Sequence, residues 1–218
     1  TAIVVGAALK NATKLLQKQL SKISVVVCGT GAAGSAIIKM LHKMGVRKIY
    51  AFNKNGALHH HIKTLNSVEQ ELLDKHYILS PQDELLTLKD LIRDKDVFIG
   101  VSAENILTKE MVMSMAKNKI VFALANPNHE FMPALAKAAG ANIIGTGRSD
   151  YPNQINNVLI FPGLMKGLIA SRSKTVTDDM KLAAIDAIAN LVSDDELSSN
   201  HILPSIFDKN VVDAVMNN

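Results

Sequence analysis

The sequence predicts a single α/β domain in which helices cover both faces of a doubly wound parallel sheet. Short apolar runs rich in β-branched residues, typical of buried parallel strands, alternate with stretches of helical periodicity. Such alternation predicts parallel strands that are joined by crossover helices. The length of 218 residues suits one large α/β domain and is too short for two ordinary ones.

The elements follow in order along the chain. A helix is predicted within residues 1–20, and strands are predicted at residues 23–28, 48–52, 97–101, 120–124 and 142–144. Further helices are expected at residues 32–44, 67–75, 81–92, 108–116 and 133–139. Beyond Gly145 we expect no further strand. Loops that contain Pro152 and Pro162 should lead into helices near residues 181–192 and 208–216.

Composition excludes several classes of protein. Hydrophobic residues make up 48% and charged residues 20%, a balance typical of a globular protein with a sizeable core. The net charge of +4 suits an anionic ligand, but the chain has no arginine-rich arm or basic stripe with interleaved aromatics, so nucleic-acid binding is not expected. Membrane insertion is not expected either, since no apolar run reaches about 18 residues. The single Cys28 is compatible with a reducing, cytoplasmic location.

The strongest local motif is Gly29-Thr30-Gly31-Ala32-Ala33-Gly34, a complete G-x-G-x-x-G. It follows the first predicted strand and opens a predicted helix, which is the context of a Rossmann-type dinucleotide site. There Gly29 would make the tight turn, Gly31 would admit the pyrophosphate, and Gly34 would let helix and strand pack closely. The pyrophosphate would lie on the N-terminus of the helix. The alternative is a glycine-rich turn that binds nothing.

The choice between NAD and NADP depends on the end of the second strand. Rossmann-type sites usually have an acidic residue there, about 20 residues beyond the glycine motif, which binds the adenosine ribose. This chain has Asn53 at that position, followed by Lys54. An amide can bond a hydroxyl, yet it does not repel a 2′-phosphate. The residues therefore leave both NAD and NADP open and predict weak discrimination between them.

Longer segments are more specific than the glycine motif. They read VFIGVS at residues 97–102, IVFALANP at residues 120–127 and GTGRSDYPNQINNVL at residues 145–159, and FPG and ILPSIFD follow at residues 161–163 and 202–208. Together these segments closely resemble the NAD-binding domain of bacterial-type malic enzymes. The resemblance covers essentially the whole chain.

Four polar residues in or beside these segments are candidate ligands. Ser102 and Asn126 each lie just past an apolar strand, at the carboxyl edge where open α/β sheets bind ligands. Asn156 and Asn157 precede a helix, and their amides could hold a carboxylate or carboxamide. Taken alone, each asparagine is interpreted as a turn or cap residue, and the resemblance described above reverses this interpretation for Asn126 and Asn157. The resemblance implies that Asn126 and Asn157 contact the substrate and that Asn126 also contacts the nicotinamide end of the cofactor. From their positions, Ser102 and Asn156 are expected to contact the cofactor.

The resemblance also implies an activity. Malic enzymes oxidatively decarboxylate L-malate to pyruvate and CO₂ with NAD(P)⁺ and with Mg²⁺ or Mn²⁺. Their base, acid and metal carboxylates lie in an N-terminal half, so residues 1–218 are expected to be the NAD(P)-binding domain, without catalytic residues or metal ligands. The isolated chain should then be inactive, and the full enzyme is expected to be a cytoplasmic homo-oligomer. The alternative is a stand-alone dinucleotide-binding or regulatory module without catalysis.

Two further features have simpler interpretations. The tract His59-His60-His61 follows a turn signal at Asn55-Gly56, and we interpret it as a solvated loop rather than a metal site. Arg148 and Asp150 could tie their loop together by a salt bridge or could close over an active site, and the sequence leaves both possibilities open.

Overall fold

The fold is built on one mostly parallel sheet. The computed structural model describes residues 1–81, 86–125 and 131–217. In this part of the chain six strands form a sheet in the order β3-β2-β1-β4-β5-β6. Their bounds are β1 (Ser24–Cys28), β2 (Lys48–Asn53), β3 (Gly56–Ala57), β4 (Val97–Gly100), β5 (Ile120–Ala123) and β6 (Ile143–Thr146).

The helices connect the strands and follow the last of them. Those between the strands are α2 (Ala32–Lys43), α3 (Ser67–Asp74), α4 (Leu88–Ile92), α5 (Lys109–Ser114) and α6 (Pro133–Ala138), and α1 (Ala2–Leu15) precedes them all. After β6 the chain forms a 3₁₀ turn (Asn157–Leu159) and then α7 (Phe161–Ala170), α8 (Asp178–Asn190) and α9 (Asn210–Met216). No helix of the described ranges combines the length and the apolar character that a membrane span needs.

The order in which strands are added to the sheet reverses at β1, in the centre of the sheet. β1 pairs in parallel with both β2 and β4, so that Cys28 lies opposite Phe52 on one side and Gly100 on the other. The chain first adds β2 on one side of β1, then crosses over to add β4, β5 and β6 on the other side. Open α/β sheets bind their ligands at such a switch point, outside the carboxyl ends of the strands.

Alternate strand residues enter two separate hydrophobic cores. Val27, Ile99 and Phe122 point to the face that α1, α2, α3, α8 and α9 cover. The neighbouring residues point to the opposite face, against α4, α5 and α6 (Val26, Phe98 and Val121). A sheet buried on both faces needs continuous apolar strands, as the sequence has them. The predicted doubly wound α/β fold with helices on both faces is therefore confirmed.

Several local predictions need correction. The prediction that Pro162 lies in a loop is wrong, because Pro162 occupies the first turn of α7, where its missing N–H breaks no helical hydrogen bond. The first helix ends at Leu15 and not near residue 20, and Gln17 beyond it has a positive φ of 54°. The two-residue β3, antiparallel to β2, was not predicted. A helix was predicted at residues 81–92, and the structure shows its last part as α4 (Leu88–Ile92). Residues 82–85 lie outside the described residues.

Asn153 joins the segment after β6 to the C-terminal part of the chain. Its Nδ2 donates to the carbonyl oxygens of Ile144 at 2.9 Å and Ser199 at 2.8 Å, and its Oδ1 accepts from the backbone N of Ile202 at 3.0 Å. The residue is 7% exposed and has a left-handed φ of 57°. Asparagine tolerates this conformation better than most residues. The segment before Asn156 and Asn157 is therefore held by the hydrogen bonds of this buried side chain.

We predict that Asn153→Ala lowers the free energy of unfolding by about 2–4 kcal/mol, because buried backbone groups lose their partners. Urea unfolding followed by circular dichroism measures the change. Asn118→Ala is the control for the backbone contribution, since Asn118 has a similar φ of 58°. Equal losses in the two variants would show that the hydrogen bonds of Asn153 contribute little.

Candidate functional site

The glycine turn between β1 and α2 is closely packed on two sides. Gly29 has a φ of +105°, and a Cβ on it would lie 2.8 Å from the carbonyl oxygen of Val101. A Cβ on Gly34 would lie 1.7 Å from the carbonyl oxygen of Gly29, a distance that no side chain tolerates. Both positions therefore require glycine for the turn to form, as the motif predicts.

Gly31 differs from the other two glycines of the motif. Apart from Gly31 itself and its neighbours along the chain, no described atom lies within 4 Å of a Cβ built on Gly31, and its φ of −69° is open to any residue. Glycine is therefore not needed here for the fold. Open space above the backbone at this point is what a closely approaching pyrophosphate requires.

The N-terminus of α2 is suited to an anion. Among the described residues no side chain caps this terminus, and the first turn contains no acidic residue. The first N–H groups of a helix have no partners within the helix, and the helix dipole favours negative charge there. Together with the open space at Gly31, these features fit the phosphates of a dinucleotide.

A cleft of about 260 Å³ lies beside the glycine turn, at the carboxyl ends of β1, β2 and β4. Three residues that the sequence analysis proposed as cofactor contacts line it together, namely Gly29, Asn53 and Ser102. The Oγ of Ser102 lies 3.5 Å from the Sγ of the buried Cys28. Lys54 also lines this cleft and is exposed.

A carboxylate that sequence reasoning missed lies beside Asn53. Oε1 of Glu69 accepts hydrogen bonds from Oγ1 of Thr30 at 2.5 Å and from Nδ2 of Asn53 at 2.7 Å. Glu69 is in the first turn of α3, where its Oε2 accepts from the backbone N of Asn66 in a capping box. The sequence signal was therefore the spacing of Asn66 and Glu69 at a helix start, which predicts the cap but not the contacts with Thr30 and Asn53.

Glu69 is held in its charged form. Burial by itself would raise the pKa of this carboxyl, since Glu69 is only 4% exposed. Hydrogen bonds from Thr30, Asn66 and Asn53, with the charge of Lys54, outweigh burial and hold the pKa below its usual value. The site thus contains a buried negative charge at the end of β2.

A second cleft of about 260 Å³ lies on the other side of the carboxyl edge. It is lined by Asn156 and Asn157 together with Thr1, Leu124, Ala125, Gly147, Arg148 and Ile155. Oδ1 of Asn156 caps the 3₁₀ turn by accepting from the backbone N of Val158 at 3.1 Å. Asn157 is exposed at the start of that turn. Asn126 lies outside the described residues, although Leu124 and Ala125, directly before it, line this cleft.

Arg148 forms the salt bridge that was one of its two predicted roles. Its Nε and NH2 groups donate to the two carboxylate oxygens of Asp150 at 2.7 and 2.6 Å, and its guanidinium lies 5.8 Å from the ring centroid of Tyr151. The pair is about half exposed, and Arg148 also lines the second cleft. Arg148 therefore forms this salt bridge and also lies at the second cleft.

The histidine tract follows β3 at the edge of the sheet. His59 is 9% exposed, and its Nδ1 accepts from the backbone N of His61 at 3.3 Å. The interpretation as a wholly solvated loop is therefore wrong for His59, which packs inward, while His60 and His61 are exposed. In the described ranges no three histidine, cysteine or acidic side chains are grouped so as to hold a metal ion.

Comparison with known proteins decides the family. Residues 1–216 match the family described as "Malic enzyme, NAD binding domain". This chain belongs to the malic enzyme family.

Curated malic enzymes of bacteria are similar over nearly the whole chain. The chain is 52% identical to the bifunctional malic/malolactic enzyme of Bacillus subtilis, covering 99% of the chain and 52% of that protein. It is 46% identical to the NAD-dependent malic enzyme of Geobacillus stearothermophilus, covering 99% and 44%. An NADP-dependent malic enzyme of Escherichia coli is 36% identical, covering 97% and 30%. The chain thus spans about half the length of the first two of these malic enzymes.

Solved structures of malic enzymes have the same fold. The NAD-dependent malic enzyme of Thermotoga maritima matches with a TM-score of 0.91 and 41% identity, over 99% of this chain and 56% of that chain. The malic enzyme of Entamoeba histolytica matches with a TM-score of 0.92 at 29% identity, over 99% and 45%. The whole described domain, including the helices after β6, therefore has the architecture of malic enzyme structures.

We predict that Gly31→Val folds normally but no longer binds NAD. The valine side chain has room in the turn, yet it occupies the space through which a pyrophosphate would approach the backbone. Isothermal titration with NAD measures binding, and thermal unfolding checks the fold. Ala138→Val, at an exposed position in α6, is the control for adding a branched side chain. Unchanged NAD affinity in a folded Gly31→Val variant would contradict this assignment.

Proposed function

We propose that residues 1–218 form the NAD(P)-binding domain of a malic enzyme that oxidatively decarboxylates L-malate to pyruvate and CO₂ with NAD(P)⁺. The observation that carries the proposal is the glycine turn at the switch point of the sheet, open at Gly31 and leading into the uncapped α2. The family, whose name specifies NAD binding, supports the ligand. The relatives named above support the reaction.

In this proposal the backbone of the glycine motif binds the pyrophosphate. Ala32 and Ala33 provide N–H groups at the start of α2, and Thr30 provides one in the turn before it. Gly31 leaves the space for the close approach, while Gly29 and Gly34 let the turn and the helix pack. The adenosine half then lies in the cleft beside Asn53, and the nicotinamide half extends toward the second cleft. The proposed contacts of Ser102 and Asn156 belong to these clefts. When bound, NAD(P)⁺ supplies the hydride acceptor.

The second cleft is the proposed substrate side. The Asn157 amide is exposed at this cleft, where it can donate to a carboxylate of L-malate. Asn126 is proposed as a second substrate contact and as a cofactor contact, because it directly follows Leu124 and Ala125 of the cleft wall. Amides in these positions would orient the reacting carbon toward the nicotinamide, which is how positioning accelerates a reaction.

We propose that the catalytic acid, the base and the ligands of Mg²⁺ or Mn²⁺ belong to the remainder of a longer protein. The chain spans about half the length of the first two malic enzymes named above, which supports this proposal. Phe161, Met165 and Ile169 expose an apolar stripe along α7, 42–74% accessible. Such a stripe is suited to burial in a larger assembly, which supports the proposed homo-oligomer. The lone, buried Cys28 is compatible with the proposed cytoplasmic location.

We predict that the 218-residue chain binds NAD but does not oxidise malate. The cofactor groups are present, whereas the catalytic acid, base and metal ligands are proposed to lie elsewhere. Calorimetry measures NAD binding, and absorbance at 340 nm in the presence of malate and Mg²⁺ or Mn²⁺ measures turnover. The Gly31→Val chain is the control for specific binding. Production of NADH from malate by the 218-residue chain would contradict the proposal that the catalytic acid, base and metal ligands lie in another part of the protein.

We predict that Asn157→Ala and Asn126→Ala, made in the longer protein, reduce kcat/KM for malate about 100-fold and change NAD affinity less. Loss of an amide that orients a carboxylate misplaces the reacting carbon, and such misplacement can cost about that factor. Steady-state kinetics and NAD titrations separate the two effects. Asn118→Ala is the control, because Asn118 lies in the loop before β5, at the opposite end of that strand from the second cleft. Wild-type kinetics in either variant would remove that asparagine from the proposed substrate contacts.

A further inference from the structure

We propose that Glu69 selects NAD over NADP, because its carboxylate places a buried negative charge at the adenosine end of the site. The proposal rests on the proposed dinucleotide-binding function and goes beyond it by naming the residue that sets the coenzyme preference. It also revises the expectation of weak discrimination, which considered only Asn53.

The geometry puts the charge beside the position of the usual acidic residue. In Rossmann-type sites a carboxylate at the end of the second strand binds the ribose 2′-hydroxyl. Here the amide of Asn53 ends β2, and its Oδ1 is turned back to accept from the backbone N of Asn55 at 2.7 Å. Its Nδ2 donates to Glu69 at 2.7 Å. The carboxylate is therefore delivered from α3 to the position next to Asn53, instead of from β2 itself.

The same carboxylate also contacts the glycine motif. Thr30, the second residue of that motif, donates its hydroxyl to Oε1 of Glu69 at 2.5 Å. Glu69 therefore joins the pyrophosphate-binding turn to the end of β2, the two segments between which an adenosine ribose lies in this fold. A 2′-phosphate entering there would approach a buried anion in a poorly solvated place, where charges interact more strongly than in water.

The capping box at the start of α3 does not by itself require a charged side chain, because glutamine can take the same position. Its hydrogen-bond donors are the Thr30 hydroxyl, the Asn53 amide and the Asn66 backbone N–H, all of them neutral. Burial of a carboxylate against neutral donors is costly, and such buried charges are concentrated at functional sites. The lowered pKa of Glu69 means that it stays ionised at neutral pH. A persistent negative charge at the site is thus built into the fold.

Lys54 is the competing influence. It lines the same cleft and would attract a 2′-phosphate. Its side chain is exposed, however, and an exposed ion pair contributes less than about fivefold in affinity. The buried carboxylate is screened less by solvent and salt than this lysine. We therefore expect the repulsion to outweigh the attraction.

The test compares the dissociation constants of NAD and NADP by calorimetry for the wild-type chain, Glu69→Gln and Glu71→Gln. Glutamine keeps the size of the side chain and removes the charge. Glu71→Gln is the matched control, because it removes a charge from the same helix where the carboxylate pairs with Lys39 and Lys75. We expect wild type to bind NAD at least about tenfold more tightly than NADP, and Glu69→Gln to narrow this ratio by about tenfold. Glu71→Gln should leave the ratio unchanged.

Each other outcome overturns the proposal. If Glu69→Gln weakened both coenzymes equally and left the ratio unchanged, Glu69 would have a structural role only. If wild type bound NADP as tightly as NAD, the proposal would fail even when the variant did not fold. In both cases NAD would still bind, so the proposed dinucleotide-binding function would stand. If wild type bound neither coenzyme, that function would fail, and this proposal with it.

Discussion

The close approach of α2 to the end of β1 is the constraint on which the rest of the carboxyl edge depends. The helix passes so near the turn that a Cβ on Gly34 would fall 1.7 Å from the Gly29 carbonyl oxygen. Gly29 in turn lies against Val101 at the end of β4. Because both contacts are backbone contacts, they leave little freedom in where the start of α2 points. The start of α2 therefore faces the open switch point of the sheet.

The two clefts follow from this arrangement. Since β1 is central and its neighbours run parallel to it, the loops after β2 and β4 meet on one side of the turn, and the loops after β5 and β6 meet on the other. The first side holds a buried charge, that of Glu69. The second holds exposed amide and guanidinium groups of Asn157 and Arg148. An extended ligand that crosses the turn would thus meet different chemistry at its two ends.

The elements that depend on local sequence were predictable, and those that depend on distant contacts were not. The apolar run of β1, the glycine turn and α2 are adjacent in sequence and specify one another. Glu69 is 39 residues from Thr30, and only the docking of α3 brings them together. β3 consists of two residues that carry almost no periodicity. Pro162 was misassigned because proline is common in loops and is equally acceptable in the first turn of a helix.

Asn156 shows why site roles were harder to predict than the fold. The sequence allowed either a ligand or a cap, and the structure shows the cap through its Oδ1 while the residue also lines the second cleft.

The open glycine turn at the start of α2 is proposed to receive the pyrophosphate of a dinucleotide. Titration of the ¹⁵N-labelled chain with NAD, followed by ¹H–¹⁵N correlation spectra, tests it most directly. We expect the largest chemical-shift changes at the amides of Thr30, Gly31, Ala32 and Ala33, with smaller changes at Ser102 and Asn53. Shifts confined to the opposite edge of the sheet, with the turn amides unchanged at saturating NAD, would contradict it.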